Sequence, residues 1–389
     1  MVIEVAAPPE TNVHTAWARV RGMKDLILKH RHEGDELRRL PDSIAQAFLD
    51  ADLFRIQVPS DLGGLALDPI TTFDLGVEIS SYDGSVGWNF GIGASAGPTL
   101  MGAWPLEKIK EVFSSPDCCL AGSFAPPGKA VAVKGGYRLT GRWQWASCIH
   151  QAKWVAGAAL VYDGDKPRMV NGRPVVIFGL MPRDTVTVHD VWHVGGMKGT
   201  GSTEWSVTDL FVPAADAATP GLGESAHPAP QFRNPSSLAG STLCAVAVGI
   251  AKGTVESFKE FIAKDKTGIK DAGYAQYAVG KAEALYESSQ LYVEEAIRPM
   301  WENTLAKRPT SLAQRARARR AYVHAVESSV EAVTLCYNAV GGAAIFDANP
   351  FHRNVRDVYA VSPHIQLSRR FMELAGQAAF GTQPNHPLW

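Results

Sequence analysis

The sequence predicts an α+β fold in three successive parts: an N-terminal helical domain over residues 1–115, a central antiparallel β-barrel or sandwich over 116–220, and a C-terminal four-helix bundle over 221–389. Three observations predict it. Apolar residues recur at helical spacing as far as Phe113; short β-branched and aromatic runs closed by Gly, Pro or Asp fill Cys118–Pro213; four long amphipathic stretches follow. A chain of 389 residues is long enough for two or three such units around a large shared core.

In the first part, the stretch Leu40–Leu53 (LPDSIAQAFLDADL) places Leu40, Ile44, Ala47, Phe48 and Ala51 on one helical face. Pro41 and Asp42 suit its first turn. The segment Val58–Pro69 carries Pro, Gly and Asp punctuation and reads as a loop. A second helix is expected over Ile70–Ser81, ended by Asp83–Gly84.

The middle third changes character. YRLTGRWQWAS, KWVAGAALVYDGD, RPVVIFGLMP, TVTVHDVWHVGGMKG and EWSVTDLFVP are runs of strand pattern at the spacing of an antiparallel barrel or sandwich. A Pro- and Gly-rich linker, Ala214–Pro235, leads to the bundle stretches Ser236–Ala263, Tyr274–Leu305, Leu312–Val340 and Val355–Gly376. Strands do not alternate with helices and no GxGxxG follows a strand, which disfavours a doubly wound nucleotide fold.

Charge and composition narrow the function classes. With 38 basic and 39 acidic residues, the chain has no broad field for nucleic acid or an acidic membrane. The densest basic run, Arg315–Arg320, reads as a solvated helix face in preference to a phosphate-binding patch. Five cysteines lack metal-ligand spacing, and an odd number in so long a chain points to reduced thiols in a reducing compartment. Glu4, Pro8, Pro9 and Glu10 stand where a signal peptide needs basic and then apolar residues. No apolar run approaches the ~20 residues that span a bilayer. The expectation is a soluble, cytoplasmic protein without metal.

Three segments could carry chemistry. The loop Gly195–Val207 (GGMKGTGSTEWSV) offers backbone N–H groups and short hydroxyls that can wrap a phosphate or a flat heterocycle, or it is simply a tight turn. In Gly141–Trp154 (GRWQWASCIHQAKW), two strand tryptophans flank a small polar break at Ala146–Ser147. They either fill a β core or cover a planar cofactor. In Gly341–Phe371, Arg353, Arg356 and Asp357 open a helix as a structural or a functional ion pair, and His364 follows Asp357 by seven residues. No GxSxG elbow is present, and His150, His189, His193, His352 and His364 do not pair at metal-ligand spacing.

Taken in this order, the segments resemble the acyl-CoA dehydrogenase superfamily over essentially the whole chain. RLPDSIAQAFLDADLFRIQVPSDLGGLALDP is similar to the family's Pro-started helix leading to "VP…GG"; YRLTGRWQWAS to its flavin-facing "G…W…S/T" strand; KGTGSTEWSVTDLFVP to its "G…GS/T…V…VP" pair; and GGAAIFDANPFHRNVRD to its "GG…R…RD" stretch. The resemblance implies flavin contacts at Ser123, Trp145, Ala146 and Ser147, at Thr200, Gly201 and Ser202, and at Gln276, Gly341 and Gly342. It also implies a homotetramer in which one subunit completes another's flavin site.

Two departures decide the expected chemistry. The family's dehydrogenases use a glutamate in a "YEGT" segment shortly after the RD pair, whereas here the stretch is VSPHIQLS and the next glutamate is Glu373. Their "R…FG" segment is also absent from KTGIKDAGYAQYAVG, which keeps only Gln276. Both features are similar to the flavin-dependent, two-component monooxygenase branch, which carries "W…SG" and a histidine after "RD"; here Cys148 replaces the glycine. The resemblance thus implies an oxygenase component. It would take reduced flavin (FMN or FAD) from a separate NAD(P)H-dependent reductase and, with O2, form a C4a-(hydro)peroxyflavin that hydroxylates a small phenolic or indole-like substrate. Ser147 and His364 are the catalytic candidates: Ser147 to accept from the flavin N5–H or otherwise fix that edge, and His364 as a base whose ordinary pKa is ~6.5. Trp88, Asn89 and His364 are the substrate-binding candidates. The competing expectations are an acyl-CoA dehydrogenase or oxidase with a displaced base, and a non-catalytic flavin-binding protein.

Overall fold

A computed structural model describes residues 10–219, 225–266, 268–386 and 389. Glu4, Pro8 and Pro9, and residues 220–224 of the expected linker, lie outside the described residues. Helices α1 (Glu10–Gly22), α2 (Lys24–Leu37), α3 (Asp42–Asp50), α4 (Pro69–Tyr82), α5 (Gly84–Met101) and α6 (Leu106–Phe113) open the fold. The face anticipated for α3 is the one that is buried, through Ile44 and Phe48. Asp68 caps α4 by accepting from the backbone N–H groups of Ile70 and Thr71, with Pro69 at the first helical position. Asp83 does two jobs. It ends α4 and its carboxylate accepts from Val86 N, so α5 starts at once and turns back across α4.

The strands are β1 (Leu120–Val133), β2 (Gly136–Trp143), β3 (Trp154–Asp163), β4 (Lys166–Pro167), β5 (Met169–Val170), β6 (Arg173–Pro174), β7 (Val176–Pro182), β8 (Thr187–His189), β9 (Glu204–Pro213) and β10 (Ala217–Ala218). They form one sheet in the order β10-β7-β3-β1-β2-β9-β8, with β4 on β3 and a separate β5–β6 hairpin. The sheet corrects the all-antiparallel expectation, because β1 and β3 are parallel. The reason is positional. β1 and β2 make a hairpin, β9 occupies the other edge of β2, and the chain must cross through 144–153 to reach the free edge of β1. A strand reached by such a crossover runs parallel to its neighbour.

Five helices close the chain: α7 (Ala239–Lys264), α8 (Gly273–Leu305), α9 (Leu312–Val340), α10 (Phe351–Val361) and α11 (Arg370–Ala379). Three of the four expected bundle stretches are single helices. The fourth, Val355–Gly376, is instead α10 and α11 broken at 362–369, where Pro363 removes a backbone donor and the chain makes a short turn from His364. α7 is buried on all sides from Gly240 to Ala251, as suits a central helix. One apolar cluster joins α4 to α7, α8, α9 and α10; another seats α1, α3, α4 and α5 on the sheet. α4 contributes to both clusters, and α5 also packs against the first through Trp88 and Ile92, so these two helices join the sheet to the C-terminal helices. Among the described residues, no helix is long and apolar enough to cross a membrane, and no group of three or more His, Cys, Asp or Glu is placed to hold a metal ion.

Candidate active site

The two central motifs meet because they continue one strand pair. Trp143 on β2 lies opposite Trp205 on β9, and beyond that pair Ala146 N donates to Thr203 O at 3.0 Å. The two indoles stack at 4.3 Å between centroids, are fully buried, and donate to Ala158 O and Ser123 Oγ. Trp143 is therefore core. Trp145 is not: strand alternation would place it beside Trp143, but its φ of 58° breaks the alternation and leaves its ring 68% exposed. The adjacent Ser147 and the strap Gly195–Thr203 then face each other.

Their hydroxyls form a chain with one possible direction. Thr200 Oγ1 must donate to the carbonyl of Met197 (2.9 Å), since a carbonyl only accepts. Ser202 Oγ therefore donates to Thr200 Oγ1 (3.0 Å), and Ser147 Oγ donates to Ser202 Oγ (2.7 Å). Trp88 Nε1 donates to Ser147 Oγ at 2.9 Å. The Ser147 proton and one lone pair are thus committed, and what remains is a single acceptor position. Successive donors in a buried chain also polarise one another.

The strap itself is held from below. Asp357 Oδ1 accepts from Met197 N at 2.6 Å. A Cβ on Gly196 would stand 2.2 Å from Arg356 O, so only glycine lets the strap lie this close to α10. Asp357 belongs to a buried cluster in which Arg353 bonds Asp35 and Asp83. Burial pushes the Asp357 carboxyl up to about 6 despite Arg353. Arg353 is held protonated by Asp83, Asp357 and Asp35, which outweigh the opposing effect of burial. The Arg–Asp pair anticipated as either structural or functional is thus a buried clamp on the strap.

Asn89 is not a substrate contact in this geometry. It is fully buried, and its amide is spent on Ser85 O, Gly199 O, Thr200 O and Gln151 Nε2, so it ties α5 to the strap. Cys148, the substitute for glycine, keeps the left-handed turn a glycine would make (φ 67°), and its thiol donates to Asn89 O.

His364 sits in the break between α10 and α11, its ring edge-on to Trp88 at 5.4 Å between centroids. Burial pulls its pKa down to about 4, so the ring is neutral near pH 7. Its Nδ1 accepts from Gln366 N at 3.3 Å, which leaves Nε2 carrying the proton. Trp88 therefore touches both catalytic candidates. Glu373, the first glutamate after the RD pair, is exposed on α11 and paired with Arg370, which gives no support to thioester oxidation.

The remaining candidates are placed apart. Ser123 is buried on β1 and donates to Gln144 O, behind the exposed Trp145. Gln276 is exposed in the first turn of α8, with its amide on Lys270 O. Gly341 ends α9 at φ 68° and Gly342 follows; a Cβ on either would meet nothing within 4 Å. Among the described residues, Gln276, Gly341 and Gly342 make no hydrogen bond to Ser147. Reading by residue type missed the Arg353 cluster and the Asp357 bond to the strap, because partners some 160 and more residues apart leave no local signal.

The arrangement suits a flavin. An exposed flat indole stands beside a buried hydroxyl with one free acceptor position, and no charged side chain takes part in the hydroxyl chain. Residues 241–369 match the family "Acyl-CoA dehydrogenase, C-terminal domain". The chain is 31% identical to an indole-3-acetate monooxygenase of Pseudomonas putida, over 90% of each chain. It is 30% identical to the oxygenase component of an FADH2-dependent resorcinol hydroxylase of Rhizobium sp. (strain MTP-10005), over 97% of each. Its fold matches XiaF from Streptomyces sp., solved with FADH2 and glycerol, with a TM-score of 0.87 and 26% identity over 97% of this chain and 98% of that one.

Proposed function

The chain belongs to the flavin-dependent monooxygenase branch of the acyl-CoA dehydrogenase-fold proteins, and from that membership we propose that it is an oxygenase component that hydroxylates a small phenolic or indole-like aromatic. It is an oxidoreductase that works on reduced flavin, FMN or FAD. A separate NAD(P)H-dependent reductase supplies that flavin in our reading.

The bound reduced flavin supplies two electrons and, with O2, the oxygen atom that enters the aromatic ring. The protein's part is to place and protect. The single acceptor left on Ser147 matches the N5–H edge of a reduced flavin; this directional hydroxyl chain is the observation that carries the reading. Oxidised flavin has no proton there, so the site prefers the reduced form. Holding that proton keeps the activated oxygen on the path to product rather than to peroxide. The exposed indole of Trp145 would supply a flat apolar face for a bound flavin to stack on.

In this proposal His364 takes the substrate's hydroxyl proton at Nε2. That step needs the other ring tautomer, and the long 3.3 Å contact to Gln366 N is what the ring gives up to reach it. Around Gln276 and Gly341–Gly342, the exposed side chains of Tyr274, Tyr277, Ile345 and Phe346 form apolar surface that a second copy covers in a homotetramer, bringing these residues to a neighbour's flavin.

The experiment is to mix the protein with chemically reduced flavin under nitrogen, add labelled O2 with a panel of phenols and indoles, and look for the labelled atom in product. Incorporation supports the reading. Flavin that binds and oxidises with no labelled product from any substrate refutes it.

A further inference from the structure

A second site lies on the other side of the strap. A partly open cavity of about 220 Å³ is lined by Arg31, His32 and Asp35 of α2, Lys198 of the strap, and His352 and Arg356 at the start of α10. We propose that it binds a phosphate monoester or free phosphate, with Lys198 and Arg356 as the principal contacts.

The ion pairing around the cavity is lopsided. Arg353 takes both oxygens of Asp35 together with Asp83. Arg31 stands one helical turn from Asp35, yet among the described residues it makes no ion pair. Burial and the neighbouring Arg353 both lower its pKa. Arg356 and Lys198 also lack a carboxylate within ion-pair distance among the described residues, and the buried Arg356 Nε has no hydrogen-bond partner. An anion in the cavity would meet an orphaned donor and three cations, and would relieve the Arg31–Arg353 repulsion. The exposed carboxylates of Glu36 and Asp347 also line the cavity. They disfavour an extended polyanion and can accept from hydroxyls, which suits a compact phosphate on a polyol.

The position gives the site a consequence. Lys198 lies between Met197, whose N–H is held by Asp357, and Thr200 of the hydroxyl chain; Arg356 adjoins Asp357. An anion bridging Lys198 and Arg356 would clamp the strap to α10 by a second link.

The test uses the flavin-free protein, so it does not depend on the hydroxylase reading. Thermal unfolding is followed against inorganic phosphate, with chloride at matched ionic strength as the control. Wild type should show a saturable rise in Tm, and Arg356→Gln and Lys198→Gln should each weaken the apparent affinity about tenfold. Competition then identifies the source. Displacement of flavin mononucleotide but not riboflavin makes the occupant the cofactor's own phosphate; displacement of neither makes it a separate anion, and both results support the site. Absence of saturation in wild type overturns the proposal, as do two folded variants, verified by circular dichroism, that respond like wild type.

Discussion

Trp88 Nε1 donates to Ser147 Oγ at 2.9 Å while the same indole meets the His364 ring edge-on, so one side chain of α5 sets both residues proposed to act on flavin and substrate. This relationship yields the first prediction. Trp88→Phe keeps an aromatic ring against His364 but removes the donor, which frees a second lone pair on Ser147 and loosens its aim. Hydroxylated product per reduced flavin should fall about tenfold, with peroxide rising in its place. A variant that couples as well as wild type would show that the indole N–H is only packing.

His364 links pH to stability and to turnover. Its pKa in the fold, about 4, lies below the unfolded value, as does that of His150, which burial and then Arg39 and Arg183 lower to about 4. As pH falls, the unfolded chain takes these protons first, so stability is full above about pH 6.5 and is lost between about 6.5 and 4. Asp357 and Asp74, both raised, act in the opposite sense, so a difference measurement is needed. The stability of His364→Gln relative to wild type should improve by up to about 3 kcal/mol between pH 7.5 and pH 4, read from urea melts. Its hydroxylation rate should fall about a hundredfold.

The Arg353 cluster predicts a second pH effect. Arg353→Met leaves Asp35, Asp83 and Asp357 facing one another without an ion-pair partner, with only the more distant Arg31 nearby, at a cost of about 3–5 kcal/mol near pH 8. Asp357 is already pushed up to about 6, so protonation relieves the repulsion. The destabilisation should be clearly smaller at pH 5. A cost independent of pH would mean that lost packing, not charge, dominates.

Cys148→Gly should be close to neutral. The substitution relieves a left-handed residue, worth about 1 kcal/mol, and forfeits a buried thiol and its bond to Asn89 O of similar value. Urea midpoints within about 1 kcal/mol of wild type, with unchanged coupling, are the expected result.

How far the sequence reached depends on the range of the signal. The faces of α3 and α4 were legible because helical periodicity and caps such as Asp68 are local. The meeting of Trp143–Ser147 with Gly199–Thr203 was legible only through motif order, since the pairing of β2 with β9 joins residues about sixty apart. The parallel β1–β3 pair was hidden, because alternation does not encode strand direction. The exposure of Trp145 was hidden too, because it rests on one positive φ that residue type does not announce. Asn89 misled for a related reason: a polar residue beside Trp88 read as a pocket group, whereas helix geometry turns it inward to the strap.

Ser147 keeps one acceptor for the proton of reduced flavin in this proposal, and the ratio of hydroxylated product to hydrogen peroxide in a single turnover of Ser147→Ala with pre-bound reduced flavin measures what that acceptor does. The ratio should fall about ten- to a hundredfold at nearly unchanged flavin affinity; a ratio equal to wild type would show that Ser147 does not hold the N5 proton.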